Sequence, residues 1–146
     1  MANPRRAVIT GCGAFTPLGN DAATIWSALR DGKSGIAPIS AFDVTRLPCR
    51  IAGEVKDFVA RKYFDNKDSI EKTIGKGLKM MARTIQLGLV ASKFAMQDAG
   101  LRRGGYDPTR FGVVFGSAMI SVDVDDLVHA SRAASDGGTG PVNLLG

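Results

Sequence analysis

Histidine and cysteine are nearly absent from this chain. Its 146 residues include one histidine, His129, and two cysteines, Cys12 and Cys49, which do not form a CxxC pair. A zinc site built from these residues is not expected, and neither is a disulfide framework in a chain of this size. No Ser-His-Asp set or GxSxG motif is present either. The sequence therefore predicts no metal and no other cofactor.

Long hydrophobic runs are also missing. No stretch approaches the roughly 20 apolar residues that a membrane-spanning helix needs. After Arg5 and Arg6, only the apolar residues 7–9 precede polar Thr10, which is too short for the core of a signal peptide. We therefore expect a cytoplasmic protein that does not insert into a membrane.

The remaining composition is typical of a globular domain. Apolar residues make up 45% and charged residues 23% of the sequence, and 18 glycines predict many tight turns. The length fits one domain covering residues 1–146. The net charge of +5 is a mild basic excess, compatible with an acidic protein partner, with nucleic acid or with an evenly solvated surface.

The hydrophobic pattern alternates between strand and helix. Short apolar or alternating runs predict strands at residues 6–12, 50–55 and 111–116. Amphipathic segments predict helices at residues 20–31, 78–99 and 123–134. This order predicts an α/β fold with a mostly parallel sheet covered by helices on both faces. Sites in such sheets lie at the carboxyl ends of strands, which selects the loops 11–20 and 116–121.

The helix predicted at 78–99 carries the strongest signal. Its polar residues recur at intervals of three, four or seven and form one narrow stripe: Lys79, Arg83, Gln86, Lys93 and Gln97. A helix with so little polar surface is expected to be mostly buried. Gly100 is expected to end it.

The loop GCGAFTPLGN, which follows the first predicted strand, contains GxG and raises the question of a dinucleotide site. That fingerprint needs a third glycine three residues later, where this chain has Thr16 followed by Pro17. A tight turn packed inside the fold is the better interpretation. Cys12 in this loop is expected to be a small buried residue, and His129 a surface or half-buried one.

A basic cluster precedes and enters the long helix. It consists of Lys72, Lys76, Lys79 and Arg83. Such a cluster is either a solvated helix face or a docking surface for an acidic partner, whose binding would be sensitive to salt. No aromatic residues interleave with these charges, which argues against single-stranded nucleic acid as the partner.

Several segments, in order, resemble one enzyme family. The opening AVITGCGAFTPLGN, the segment IWSALRDGKSGIAPISAFD, RIAGEVKDF, IQLGLVASKFAMQDAGL and FGVVFGSAM are similar to successive motifs of elongating β-ketoacyl-acyl-carrier-protein synthases. The resemblance spans nearly the whole chain. It implies a thiolase fold, made of two similar α/β halves stacked in layers, that works as a homodimer. It also implies transfer of an acyl chain from acyl carrier protein to an active cysteine, followed by condensation with malonyl-carrier protein.

The resemblance also assigns roles to particular residues. Met119, with Ser117 and Ala118, falls in the G-S-G-like loop where the family lines the acyl pocket. Lys76 and Lys79, with Arg83 beside them, fall where elongating synthases contact the acidic carrier protein. The sequence departs from the family pattern at Ala118, where the family has glycine, and at residues 82–84, where it usually has D-R-F.

The family's catalytic cysteine, two histidines and lysine lie downstream of the segment represented here. We therefore expect a region truncated before the nucleophile, inactive by itself and poorly soluble or oligomeric. The alternative is a non-catalytic partner of the chain-length-factor kind, which has the same fold and shapes the acyl pocket in a dimer. A free-standing nucleotide-binding module is the third alternative, and the broken glycine pattern argues against it.

Overall fold

The computed structural model describes residues 6–64, 69–102, 104–117 and 124–135. In these residues the regular elements are α1 (Ala22–Arg30), β1 (Ile36–Pro38), β2 (Ile51–Gly53), α2 (Ser69–Gly77), α3 (Arg83–Asp98) and α4 (Val124–Ser135). Three short 3₁₀ turns accompany them, at Ala60–Tyr63, Leu78–Met80 and Pro108–Arg110.

The chain divides into two compact units. The first comprises Met1–Phe58 and Ala91–Phe111, and the second comprises Val59–Val90 and Gly112–Gly146. In the first unit the ring of Phe15 lies 5.1 Å from that of Phe58 and 5.4 Å from that of Phe94, centroid to centroid. Among the described residues of the second unit, the buried apolar ones are Ala60, Phe64, Leu78 and Val90.

The ends of α1 follow directly from its sequence. Asp21 is the N-cap, and its carboxylate accepts hydrogen bonds from the Thr24 amide at 2.8 Å and the Thr24 hydroxyl at 2.7 Å. These bonds hold the pKa of the Asp21 carboxyl below its usual value. Gly32, at φ +66°, ends the helix, with the Lys33 amide donating to the Ala28 carbonyl. The helix predicted at 20–31 is therefore confirmed.

The long helix is shorter than predicted. It begins at Arg83 rather than at residue 78, because Leu78–Met80 forms a 3₁₀ turn and Met81 is extended at φ −100°, ψ 128°. Its end is as predicted: Gly100 has φ +67°, and the Leu101 amide donates to the Met96 carbonyl at 2.9 Å. The expectation of a mostly buried helix is wrong for the described structure, in which Val90 is the one fully buried residue of α3.

The two strands form a small antiparallel ribbon. Ile36 pairs with Gly53 and Pro38 with Ile51. The strand predicted at 50–55 is confirmed in its centre, whereas β1 was not predicted. Beyond the ribbon, the Glu54 carboxylate accepts hydrogen bonds from the Ser40 amide and hydroxyl and from the Ala41 amide, at 2.7 to 3.1 Å.

The segments predicted as strands at 6–12 and 111–116 do not join a sheet within the described residues. Val8 is 78% exposed, Ile9 87% and Val114 99%. A strand needs a neighbour to satisfy its amide and carbonyl groups, and the described chain places none beside these segments. The mostly parallel sheet therefore stays a prediction.

The last predicted helix is confirmed as α4, within one residue of the expected bounds 123–134. Its residue His129 is exposed, as predicted. Across the described part of the chain, no helix is both long and apolar enough to cross a membrane.

Candidate functional site

The basic cluster lies on three consecutive elements rather than on one helix face. Lys72 and Lys76 belong to α2, Lys79 to the Leu78–Met80 turn, and Arg83 is the first residue of α3. All four side chains are exposed. We call these four residues the basic surface. Because a turn separates the helices, the positions of the charges relative to one another depend on how α2 and α3 are joined.

The joint between α2 and α3 is held by Gln86. Its side-chain amide Nε2 donates to the Leu78 carbonyl at 2.9 Å and to the Met81 carbonyl at 2.7 Å. The Leu78 carbonyl also accepts from the Met81 amide at 3.1 Å, in the 3₁₀ turn, whereas the Met81 carbonyl belongs to a residue that is extended. Sequence periodicity placed Gln86 on the exposed polar stripe, but in the structure its side chain is half-buried and bonded to this joint.

Arg61 supports the same region from the Ala60–Tyr63 turn. Its guanidinium Nη1 donates to the Gly75 carbonyl, in the last turn of α2, at 3.0 Å. A cation at a helix C-terminus interacts favourably with the helix dipole and satisfies a carbonyl that lacks a helical partner. Gly75 directly precedes Lys76, so this bond also restrains the end of α2 that carries part of the basic surface.

The loop 11–20 is a packed turn. A Cβ atom at Gly11 would lie 2.8 Å from Cβ of Ala99, and one at Gly13 would lie 2.5 Å from the backbone nitrogen of Ala95. Both glycines therefore let this loop approach the backbone of α3. The Thr16 and Gly19 backbones then bond each other at 2.9 and 3.1 Å, closing a turn around Pro17. The packed-turn interpretation of GxG is confirmed.

An open cleft of about 460 Å³ lies beside this loop, between the start of α1 and the end of α3. The Cys12 amide donates to the Asp98 carboxylate at 2.9 Å on its wall. Cys12 is exposed, so the expectation that it is buried is wrong: its backbone amide bonds to the end of α3, while the close packing on α3 is made by its neighbours Gly11 and Gly13. Among the described residues lining the cleft, none is a cation or a histidine that would activate a thiol.

Cys49 is also an exposed free thiol. Its Sγ donates to the Ile51 carbonyl at 3.5 Å, within the segment that leads into β2. In the described part of the chain, no group of three or more His, Cys, Asp and Glu side chains is arranged to hold a metal ion.

The loop predicted to line an acyl pocket is only partly within the described residues. Ser117 is exposed, and the space around Gly116 is open. Ala118 and Met119 lie outside the described residues. The segment before them is anchored by Phe115, whose ring occupies the space that a side chain at Gly88 of α3 would need.

A solved structure places the fold in a known class. The chain is similar to the ishigamide ketosynthase/chain length factor, with a TM-score of 0.70 and 26% identity, over 92% of this chain and 32% of that one. The fold is thus that of the ketosynthases, which is thiolase-like. The sequence then gives the family: residues 5–142 match the β-ketoacyl synthase N-terminal domain, and the chain belongs to this family, whose enzymes are acyltransferases.

The chain is also similar to several 3-oxoacyl-[acyl-carrier-protein] synthases. The chain is 36% identical to 3-oxoacyl-[acyl-carrier-protein] synthase 2 of Vibrio harveyi, over 87% of this chain and 28% of that protein. It is 37% identical to the synthase 2 of a Synechocystis species, over 82% and 27%, and 39% identical to that of Coxiella burnetii, over 79% and 26%. The chain therefore spans less than a third of the length of these relatives.

Proposed function

We propose that residues 1–146 are the N-terminal region of a 3-oxoacyl-acyl-carrier-protein synthase that acts in the cytoplasm, in fatty acid or polyketide synthesis. The family match over residues 5–142 and the 3-oxoacyl-carrier-protein synthases among its relatives support this assignment. The complete protein is a homodimer in this proposal, and the mostly parallel sheet forms when the rest of the polypeptide is present.

The proposed reaction has two steps. The acyl group moves from the phosphopantetheine thiol of the carrier to a cysteine thiolate, and the carrier thiol leaves. Malonyl-carrier protein then loses carbon dioxide, and the resulting carbanion attacks the thioester carbonyl, so that a carbon–carbon bond forms and the cysteine–acyl bond breaks. Backbone amides that stabilise the oxyanion would contribute strongly. Neither Cys12 nor Cys49 is the nucleophile in this proposal, so residues 1–146 alone are inactive.

The contribution that the described residues support best is docking of the carrier. The observation that carries it is the exposed basic surface, with Lys76, Lys79 and Arg83 on successive elements. Acyl carrier protein is acidic, and exposed complementary charges mainly raise the association rate in a salt-dependent way. The acyl chain itself would be received by the loop containing Ser117, Ala118 and Met119.

Charge reversal tests the docking assignment. The variants Lys76→Glu and Lys79→Glu, made in the complete translation product of the gene, are expected to weaken binding of purified acyl carrier protein and to flatten its salt dependence. Lys33→Glu is the matched control, since Lys33 is an exposed cation of the first unit, 3.4 Å from the Asp31 carboxylate. Unchanged carrier affinity in both test variants, measured by surface plasmon resonance, would show that the assignment is wrong.

The second candidate is a non-catalytic chain-length-factor partner that dimerises and shapes the acyl pocket. It is favoured by the likeness to the ishigamide ketosynthase/chain length factor, whose description names both kinds of subunit. Sequencing the coding region beyond codon 146 separates the two functions. A cysteine in the family's nucleophile position, with two later histidines, supports the enzyme. Glutamine or another residue there supports the partner subunit.

A further inference from the structure

We infer that Gln86 and Arg61 are positioning residues that fix the basic surface in a binding-competent arrangement. This inference rests on the docking function proposed above and extends it to two residues outside the basic surface. Sequence periodicity gave neither of them such a role, because each acts through backbone carbonyls, which a side-chain pattern does not reveal.

Gln86 bridges the two ends of the joint between α2 and α3. Gln86 donates to two carbonyls, 2.9 Å from Leu78 and 2.7 Å from Met81, so one side chain holds both ends of the segment between α2 and α3. That segment carries Lys79, and the first residue of α3 after it is Arg83. Loss of the Gln86 amide would leave the Leu78 carbonyl with the Met81 amide, at 3.1 Å, and would remove this side-chain donor from the Met81 carbonyl. A polar group that loses its donor away from water costs stability.

Packing also restrains the segment between α2 and α3. Leu78 is buried, with 5% of its surface exposed, and anchors one side of the turn. The flanking residues Lys79 and Met80 are exposed, and Met80 is 65% exposed. Packing therefore restrains this segment most strongly at Leu78, while Met81 and Ala82 are half-buried. The hydrogen bonds from Gln86 add a restraint at both ends of the exposed pair Lys79 and Met80.

Arg61 restrains the end of α2. Its bond to the Gly75 carbonyl ties the C-terminus of α2 to the Ala60–Tyr63 turn. Gly75 is buried while its neighbour Lys76 is exposed, so the tether acts on the inner side of the helix end whose outer side carries the cation. Arg61 and Gln86 thus restrain two consecutive sections of the basic surface.

Preorganisation is what such restraints contribute to binding. A surface lysine that must be ordered on binding loses side-chain and backbone freedom, which offsets part of its electrostatic gain. Cations held on a fixed frame lose less. Removing Gln86 or Arg61 should therefore weaken carrier binding through Lys79 and Lys76, even though neither cation is altered.

A double-mutant cycle in the complete translation product tests this coupling. In the parental protein, Lys79→Gln is expected to weaken binding of purified acyl carrier protein about two- to fivefold, the range for an exposed charge pair. In a Gln86→Met background, which keeps chain length but removes both donors, the same change is expected to have almost no effect. Such non-additivity identifies residues that act as one unit.

The parallel cycle uses Arg61→Met with Lys76→Gln, and it applies if Gln86→Met prevents folding. Equal effects of the lysine changes in both backgrounds, with unchanged thermal unfolding midpoints, would overturn the positioning role alone. Lysine changes without effect in the parental protein would instead overturn the docking function, and the inference with it. The two failures are therefore distinguished within one set of measurements.

Discussion

Phe115 places its ring where a side chain on Gly88 of α3 would be: a Cβ atom at residue 88 would lie 2.6 Å from Cε1 of that ring. Real Cβ atoms essentially never approach a neighbour so closely. A side chain at residue 88 would therefore require the ring of Phe115, which is 61% exposed, to move. The contact links α3 to the segment that leads to Ser117, at the start of the proposed acyl-binding loop.

Gly88→Ala is the direct test of this contact. In a solvent-exposed helix interior, alanine is favoured over glycine by roughly 1 kcal/mol. Here we expect the opposite sign, a small loss of up to about 1 kcal/mol, because the exposed ring of Phe115 must turn away and gives up its contact with α3. The thermal unfolding midpoint of the complete translation product should fall.

Gly77 provides the matched helical control. It is the last residue of α2, and a Cβ atom there would meet Met81 Cε at an ordinary 3.5 Å. Gly77→Ala should leave the midpoint unchanged or raise it. The double variant Gly88→Ala/Phe115→Leu should recover part of the lost stability. If Gly88→Ala raised the midpoint as Gly77→Ala does, Phe115 would not pack on α3 as described.

Gly13→Ala should be more damaging than Gly88→Ala. Its Cβ atom would overlap the Ala91 carbonyl oxygen and lie 2.5 Å from the Ala95 nitrogen, and both are backbone atoms of α3 that cannot rotate away. We expect a loss of more than about 3 kcal/mol, seen as a failure to accumulate in the soluble fraction. Gly112→Ala, where nothing lies within 4 Å of the added carbon, is the control and should express normally.

Much of the local structure follows from single residues of the sequence. The helix predicted at 20–31 is bounded by the Asp21 N-cap and by Gly32, and the stop predicted at Gly100 is confirmed, all through local signals. The family itself was recognisable from short motifs spread along the chain, and the match over residues 5–142 confirms it.

The features that the sequence did not reveal depend on backbone conformation and on contacts to backbone atoms. The start of α3 was placed five residues early because helical periodicity continues through Leu78–Met80, although Met81 is extended. Gln86 has the spacing of a solvated residue, but its partners are backbone carbonyls, which a side-chain pattern does not reveal. Cys12 was expected to be buried because the loop is packed, whereas the packing is carried by the glycines on either side of it.

The carboxylate of Glu54 should make stability depend on pH. The Ser40 hydroxyl, the Ala41 amide and the Ser40 amide all donate to it, and these bonds lower its pKa from the ordinary value of 4.5. A carboxyl whose pKa is lower in the folded state stabilises the fold above its unfolded pKa. That contribution is lost as pH falls below about 4.5 and through the folded pKa.

Glu54→Gln isolates this contribution. The variant should unfold at a lower temperature than the parent at pH 7, and the difference should shrink as pH falls below 4.5. Asp57→Asn is the control: Asp57 is exposed with a positive φ of 55°, a conformation that asparagine tolerates well. If the unfolding temperatures of Glu54→Gln and the parent differed by the same amount at every pH, the bonds to Ser40 and Ala41 would not depend on the negative charge of Glu54.

Two apolar segments determine how the isolated 146-residue chain should behave. Residues 8 and 9 are both highly exposed, and so are residues 113–115, where Val113 is 75% and Phe115 61% exposed. Consecutive apolar residues on both faces of an extended segment are typical of a strand inside a sheet covered on both sides. Left uncovered, such segments offer unpaired backbone groups and apolar surface to a second copy of the chain.

We therefore expect residues 1–146, expressed alone, to elute from a size-exclusion column as oligomers or aggregate rather than as a monomer. The variant Val8→Lys/Val114→Lys should shift elution toward the monomer, because a charge on each segment opposes pairing while leaving α1 to α4 unchanged. Ile85→Lys is the control for the added charge itself, since Ile85 is 38% exposed on α3 and belongs to neither segment. This variant should not shift elution toward the monomer. A monodisperse parent chain with one cooperative unfolding transition would show that the two segments are covered within the chain itself.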